Sequence, residues 1–168
     1  MLILCENETS KTQFNHKISS RVSEKLKISP IFSMFYIYYL DLESNLNEQE
    51  YSITKKLLTA NKIRSDITSS KYFLVTPRLG IESSWGSKAR DIFYASGLTK
   101  LKTIEQAKLY VFKNDLDDSM LTDPTFYSEF FDKMTESIFF NVEDYNFTAS
   151  ESRVLSVTDK EILPFIEN

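Results

Sequence analysis

The 168-residue chain has one cysteine, one histidine, one tryptophan, three glycines and four prolines. With Cys5 alone, a disulfide framework and a cysteine metal cluster are excluded. With His16 alone, a multi-histidine metal site is excluded, and any Ser–His–Asp arrangement would have to use that residue. Three glycines leave few places for left-handed backbone, so each one is informative. Long apolar runs are missing too. The longest, Ile31 to Leu40, has about half the ~20 residues a membrane-spanning helix needs, and the apolar start Met1–Cys5 is too short for a signal peptide. An excess of basic charge is also absent: Lys and Arg number 20 against 24 Asp and Glu, for a net charge of −4, which argues against a nucleic-acid groove. The expectation is a soluble cytoplasmic protein with neither nucleic acid nor membrane as partner.

What is present is aromatic and apolar mass. Thirteen Phe and nine Tyr stand in a chain that is 42% hydrophobic and 26% charged, the balance of a soluble globular domain. At this length one domain can hide roughly two thirds of its unfolded surface.

Along the chain, Leu2–Leu4 reads as a first strand and Lys11–Leu26 as a polar helix with Phe14, Ile18, Val22 and Leu26 on one stripe. Ser29-Pro30 ends it. Phe32 to Glu43 reads as a long strand with aromatic and aliphatic residues on both alternating faces, hence covered on both sides. Asn47 and Glu50 have capping-box spacing, opening a helix to about Ala60. Asn61–Ser70 reads as a linker. Tyr72–Val75 is a short buried strand. Ser84 caps a helix with Trp85, Ala89, Ile92 and Phe93 inward, and Gly97 closes it. Lys100–Thr103 and Ala107–Lys113 read as a hairpin or bent strand pair. Asp123-Pro124 starts a helix predicted to bury Tyr127, Phe130, Phe131, Met134 and Ile138. A last strand is predicted around Val154–Val157. The order β-α-β-α, linker, β-α-β-β-α-β argues for an α+β fold. It has two topologically similar halves, about 1–60 and 71–158, with helices packed on mainly antiparallel sheets.

The chemistry concentrates between Thr76 and Ile92, where a strand leads through a polar loop into a helix start. Pro77 fixes one backbone angle and Gly80 frees another, while Ser83, Ser84 and Ser87 supply hydroxyls. Helix-start N–H groups favour an anion, and Arg78, Lys88 and Arg90 add positive charge, so an anion or carboxylate dock is chemically sensible. Gly80 and Gly86 lack phosphate-loop spacing. The plainer reading is a helix cap with Trp85 and Ile92 in the core and the cations solvated.

The same stretch, with Thr76, Pro77, Arg78, Gly80, Ser83, Trp85, Ser87, Lys88, Ala89, Asp91 and Ile92 in place, resembles the motif in the N-terminal domain of the large, single-chain phosphoribosylformylglycinamidine synthases. Gly97-Leu98 matches the Gly-Leu that follows it there, and Asp132-Lys133-Met134-Thr135-Glu136 is similar to the family's Asp-Arg-Met-Thr-Glu helix. The resemblance spans essentially the whole chain. It departs at Thr103–Ala107, which keeps Ile-Glu from Arg-Ile-Glu-Arg-Gly but loses both arginines and the glycine. It departs also at Leu79 and Gly86, which replace a proline and a serine, and at Cys5-Glu6-Asn7, which replaces an opening Arg-Gly-Ser.

The resemblance implies one N-terminal accessory domain, 1–168, of a ligase that amidates formylglycinamide ribonucleotide in purine biosynthesis, using ATP and ammonia from glutamine. The partners implied are the synthase and glutaminase domains or subunits of that enzyme, which this chain does not contain. No catalytic residue, metal or cofactor is expected here; ATP and Mg belong to the full enzyme. The implied docking residues are Thr76, Pro77, Arg78, Gly80, Ser83, Trp85, Ser87, Lys88 and Asp91. The alternative is a decayed fragment or interaction module that keeps the fold without that role. Cys5 reads as an ordinary buried thiol, His16 as solvated, and Asp115, Asp117, Asp118, Glu143, Asp144 and Glu151 as solvated acidic loops without calcium-loop spacing.

Overall fold

The computed structural model of the protein describes residues 1–7, 12–113 and 116–146. In chain order these form β1 (Leu2–Glu6), α1 (Thr12–Leu26), β2 (Phe32–Leu42), α2 (Glu48–Leu58), β3 (Ala60–Asn61) and α3 (Ser65–Thr68). There follow β4 (Lys71–Pro77), α4 (Ser84–Ala95), β5 (Leu101–Phe112), α5 (Asp118–Leu121), α6 (Pro124–Tyr127) and β6 (Glu136–Phe139). The strands make one six-stranded antiparallel sheet in the order β3-β1-β2-β5-β4-β6. The fold is α+β.

That order is symmetric. Exchanging β1 with β4, β2 with β5 and β3 with β6 leaves it unchanged, and every pairing maps onto another antiparallel pairing. The long β2–β5 ladder, from Phe32↔Phe112 to Leu42↔Leu101, lies at the centre. In each half a helix links two neighbouring antiparallel strands: α1 joins β1 to β2, and α4 joins β4 to β5.

Strand alternation sends the side chains of β2 to the two faces of the sheet, where they join three cores. Phe32 and Met34 meet Ile18 and Val22 of α1, with Phe73, Tyr110 and Phe112. Tyr38 and Leu40 meet Phe93 of α4, with Leu4 and Ile104. Both helices therefore cover one face. Ile37 and Tyr39 point the other way, into a core with Leu74, Leu109, Ile67, Val142 and Tyr145. The expected double coverage of β2 holds: Ile37, Tyr38, Tyr39 and Leu40 are all buried in succession. The first core is dominated by rings. Phe130 lies 4.9 Å from Phe73, 5.3 Å from Phe32 and 5.2 Å from Tyr110 between centroids.

The Asn47–Glu50 capping box is present, with Asn47 Oδ1 accepting from Glu50 N and Glu50 Oε2 from Asn47 N, both at 2.8 Å. Gly97 takes φ 85° after α4.

Four expectations are corrected. Tyr127–Ile138 is not a helix. After one turn (α6) with Phe126 and Phe130 buried, Asp132 closes a turn: its Oδ1 accepts from Met134 N and its carbonyl from Glu136 N. The chain then extends as β6, because the edge of β4 offers unpaired backbone groups. Residues 101–112 form one continuous strand, since Ile104-Glu105-Gln106 carries the alternation through and pairs with β2. Asn61–Ser70 is more than a linker: Asn61 pairs with Cys5, and Ile67 is buried. Of the four residues expected inward on α4, Phe93 is buried and Trp85 and Ala89 are half-buried, but Ile92 is 57% exposed. The predicted strand at Val154–Val157 and the limit of the second half at 158 lie outside the described residues.

Candidate functional site

The segment Thr76–Asp91 is built around the start of α4. Pro77 is the last residue of β4, and Gly80, at φ 90°, supplies the left-handed backbone that turns the loop towards the helix. The N-cap is Ser83 rather than the expected Ser84: its Oγ accepts from Gly86 N at 2.9 Å. Ser83 also donates twice to Glu105 of β5, from its N to Oε1 at 2.9 Å and from its Oγ to Oε2 at 2.7 Å. Glu105 is 4% exposed. Burial pushes its pKa up, and the Ser83 donors pull the other way. The anion favoured at this helix start is thus the protein's own carboxylate. Gly86 permits the arrangement: a Cβ there would lie 2.5 Å from the Ile104 carbonyl oxygen and 2.8 Å from Glu105 Oε1.

The remaining expected site residues divide into inward and outward sets. Thr76 is buried, and its Oγ1 donates to the Pro77 carbonyl. Trp85 stacks on Tyr38 at 5.7 Å and 24°. Ser87 is half-buried in the first turn, its N donating to the Ser83 carbonyl. Lys88 and Asp91 are exposed and form no ion pair among the described residues. Arg90 is engaged by Glu82 at 3.0 Å.

Arg78 reaches elsewhere. Its N donates to the Thr135 carbonyl at 2.9 Å and its Nη1 to the Met134 carbonyl at 3.1 Å. Next to it, Thr76 pairs with Ser137 and Pro77 with Glu136. Glu136 in turn pairs with Lys108 at 2.7 Å. The loop after β4 and the turn at 132–135 are therefore joined, though 56 residues separate Arg78 from Met134.

A family model described as formylglycinamide ribonucleotide amidotransferase N-terminal matches residues 35–147. The chain belongs to that family. The match runs from the middle of β2 past β6 and includes both joined segments, so the surface they build lies within the family's N-terminal domain.

The single cysteine and the single histidine of this amidotransferase N-terminal domain lie outside the joined segments. Cys5 is buried away from them in the core of the opposite face, its thiol pushed up to about 11, chiefly by burial. His16 is exposed on α1. Among the described residues, no group of three or more His, Cys, Asp or Glu is placed to hold a metal. No described helix is long and apolar enough to cross a membrane. What the surface offers is shape, exposed apolar side chains and cations.

The roles of two residues escaped sequence reasoning. Glu105 had a signal: an acid on the strand parity otherwise occupied by Ala107, Leu109 and Val111. Met134 was assigned to the core by helical spacing, yet it is 77% exposed.

Proposed function

We propose that this domain is a non-catalytic accessory and scaffold for the amidation of formylglycinamide ribonucleotide, carried out with ATP and glutamine-derived ammonia by the synthase and glutaminase parts of the same enzyme in the cytoplasm. ATP and Mg are held by those parts, not by this domain. The Thr76–Lys88 loop docks on the synthase body.

One observation carries the reading: the two stretches that resemble the family motifs, Thr76–Ile92 and Asp132–Glu136, meet at the end of β4 through Arg78. A core would need neither an exposed Arg78 nor an exposed Lys88 there, and side chains positioned on a loop by a rigid sheet suit binding. The roles within the loop differ. Lys88 is available to a partner carboxylate, while Arg78 also clamps the neighbouring turn.

The test is binding of this chain to a synthase from which its own N-terminal domain has been removed. Lys88→Ala weakens binding with an unchanged melting temperature; truncating one member of a desolvated charge pair costs about 2–5 kcal/mol. Arg78→Ala weakens binding and lowers the melting temperature. Unchanged binding in both variants, with melting reduced in Arg78→Ala, makes the loop a purely structural feature. No binding by the unaltered chain returns the alternative, a fold kept without the role.

A further inference from the structure

Glu105 is out of keeping with its strand. Ala107, Leu109 and Val111 share its side of β5 and lie in the core, yet Glu105 places a carboxylate there at 4% exposure. Burying a charge is costly, and no cation is among the groups that bear on its ionisation. An apolar side chain at 105 would avoid that cost. What a carboxylate supplies, and an apolar residue cannot, is direction.

Its two oxygens accept from a single residue: Ser83 N donates to Oε1 at 2.9 Å and Ser83 Oγ to Oε2 at 2.7 Å. The same Oγ accepts from Gly86 N at 2.9 Å, so the first turn of α4 hangs from the carboxylate through Ser83. Gly86 lets that turn sit against β5 at Ile104, which is paired with Leu40 in the central ladder. Lys88 follows Gly86 by two residues, about 200° round the helix, which turns it away from β5, and it is exposed. Arg78 is tied at the other end of the loop, to the Met134 and Thr135 carbonyls. Only residues 79–82 lie between the two ties. The placement of Lys88 relative to Arg78 is therefore set by two anchors rather than by the loop between them.

We propose that Glu105 is a positioning residue for docking: through Ser83 it holds the start of α4 so that Lys88 stands at a fixed place relative to Arg78. This rests on the docking reading above and adds to it the buried group that sets the geometry of that surface. Being buried, Glu105 touches no partner and acts only through Ser83 and the helix start. A side chain carried on a fixed backbone loses less ordering entropy on contact than one on a loose backbone. Loosening the helix start therefore weakens the contact of Lys88 without removing any group from the surface.

The experiment is a double-mutant cycle on binding of this chain to the synthase lacking its N-terminal domain. Calorimetric titration compares the parent, Glu105→Gln, Lys88→Ala and the double variant. Gln keeps the size of Glu but offers one acceptor oxygen to the two Ser83 donors. Thermal melting establishes that each variant is folded at the assay temperature. Glu105→Gln is expected to weaken binding about tenfold in the parent, and by less than about twofold once Lys88 is alanine, as linked residues do. If Glu105→Gln binds as tightly as the parent, the positioning role is wrong while docking stands. If it weakens binding by the same factor in both backgrounds, it does not act through Lys88, and the role is overturned as well. If Glu105→Gln is unfolded at the assay temperature, Ser83→Ala, which removes the Oγ bond and leaves the carboxylate, takes its place in the cycle under the same criteria. If the parent does not bind, or Lys88→Ala binds as the parent does, the docking reading fails and takes this inference with it.

Discussion

Replacing Gly86 with alanine sets two effects of comparable size against each other. Gly86 is the third residue of α4, and alanine inside a helix ordinarily gains about 1 kcal/mol over glycine. Here the added Cβ would stand 2.5 Å from the Ile104 carbonyl oxygen and 2.8 Å from Glu105 Oε1. The carboxylate could swing aside. The carbonyl cannot, since Ile104 is paired with Leu40 in the central ladder. The helix start must lift away from β5, and with it Ser83, whose two bonds at 2.9 and 2.7 Å are donated to the buried Glu105. Overpacking costs about 1–3 kcal/mol, and weakened bonds to a buried charge add to that. The sum exceeds the helix gain, for a net loss of about 1–3 kcal/mol. At about 2–4 °C per kcal/mol for a chain of this size, melting falls by roughly 2–12 °C. Thermal and urea unfolding followed by far-UV circular dichroism measure it. Gly97→Ala is the comparison, because nothing lies within 4 Å of a Cβ there and only its φ of 85° is unfavourable, a cost of about 1–2 kcal/mol. A higher melting temperature for Gly86→Ala would refute the close approach of α4 to β5.

Four further outcomes are expected. Burial raises the Glu105 pKa, so the folded state holds that proton more tightly than the unfolded chain; the group's contribution to stability is greatest below the ordinary carboxylate value of 4.5 and declines as pH rises through the raised value. Stability against pH should show that decline in the parent and lose it in Glu105→Gln, and identical profiles would contradict the burial. Asn47→Ala removes the acceptor for Glu50 N and should cost about 1 kcal/mol in urea denaturation. Phe130→Ala, at a site 2% exposed among five rings, should cost about 3–5 kcal/mol, read as a collapse of the melting transition. The purified chain, given formylglycinamide ribonucleotide, ATP and glutamine or ammonia, should form no product above background; turnover abolished by a substitution within the chain would contradict its non-catalytic role.

Local signals carried most of the fold. Asn47 with Glu50, Asp123-Pro124 and Gly97 act through bonds or angles within a few residues of themselves, so their meaning is written in their spacing. The strand at Phe32–Leu42 was legible because both alternating faces are apolar. What could not be read depended on distant partners. Phe130 is buried as the expected helical pattern requires, but whether 132–139 continues as helix or adds a strand depends on the free edge of β4. Residues 101–112 looked interrupted at 104–106 because Glu105 and Gln106 break the apolar run, and only the folded chain supplies Ser83 as the partner of Glu105. The motif loop was legible as a place and not as a mechanism: the cations were visible, while the commitment of Arg78 to the Met134 turn was not.

The mirrored strand order has a consequence for what happens when the chain is cut. The β2–β5 ladder sits on the axis that exchanges the halves, so each half offers the other the edge it presents itself. A fragment ending near residue 60 would keep β1, α1, β2 and α2 but leave the whole edge of β2 bare, with Tyr36, Tyr38 and Leu40 stripped of cover. Such an edge is a template for its own kind. Two identical fragments could pair antiparallel across that axis and rebuild a four-stranded centre from a single sequence, so halves separated at 61–70 would be prone to self-pairing.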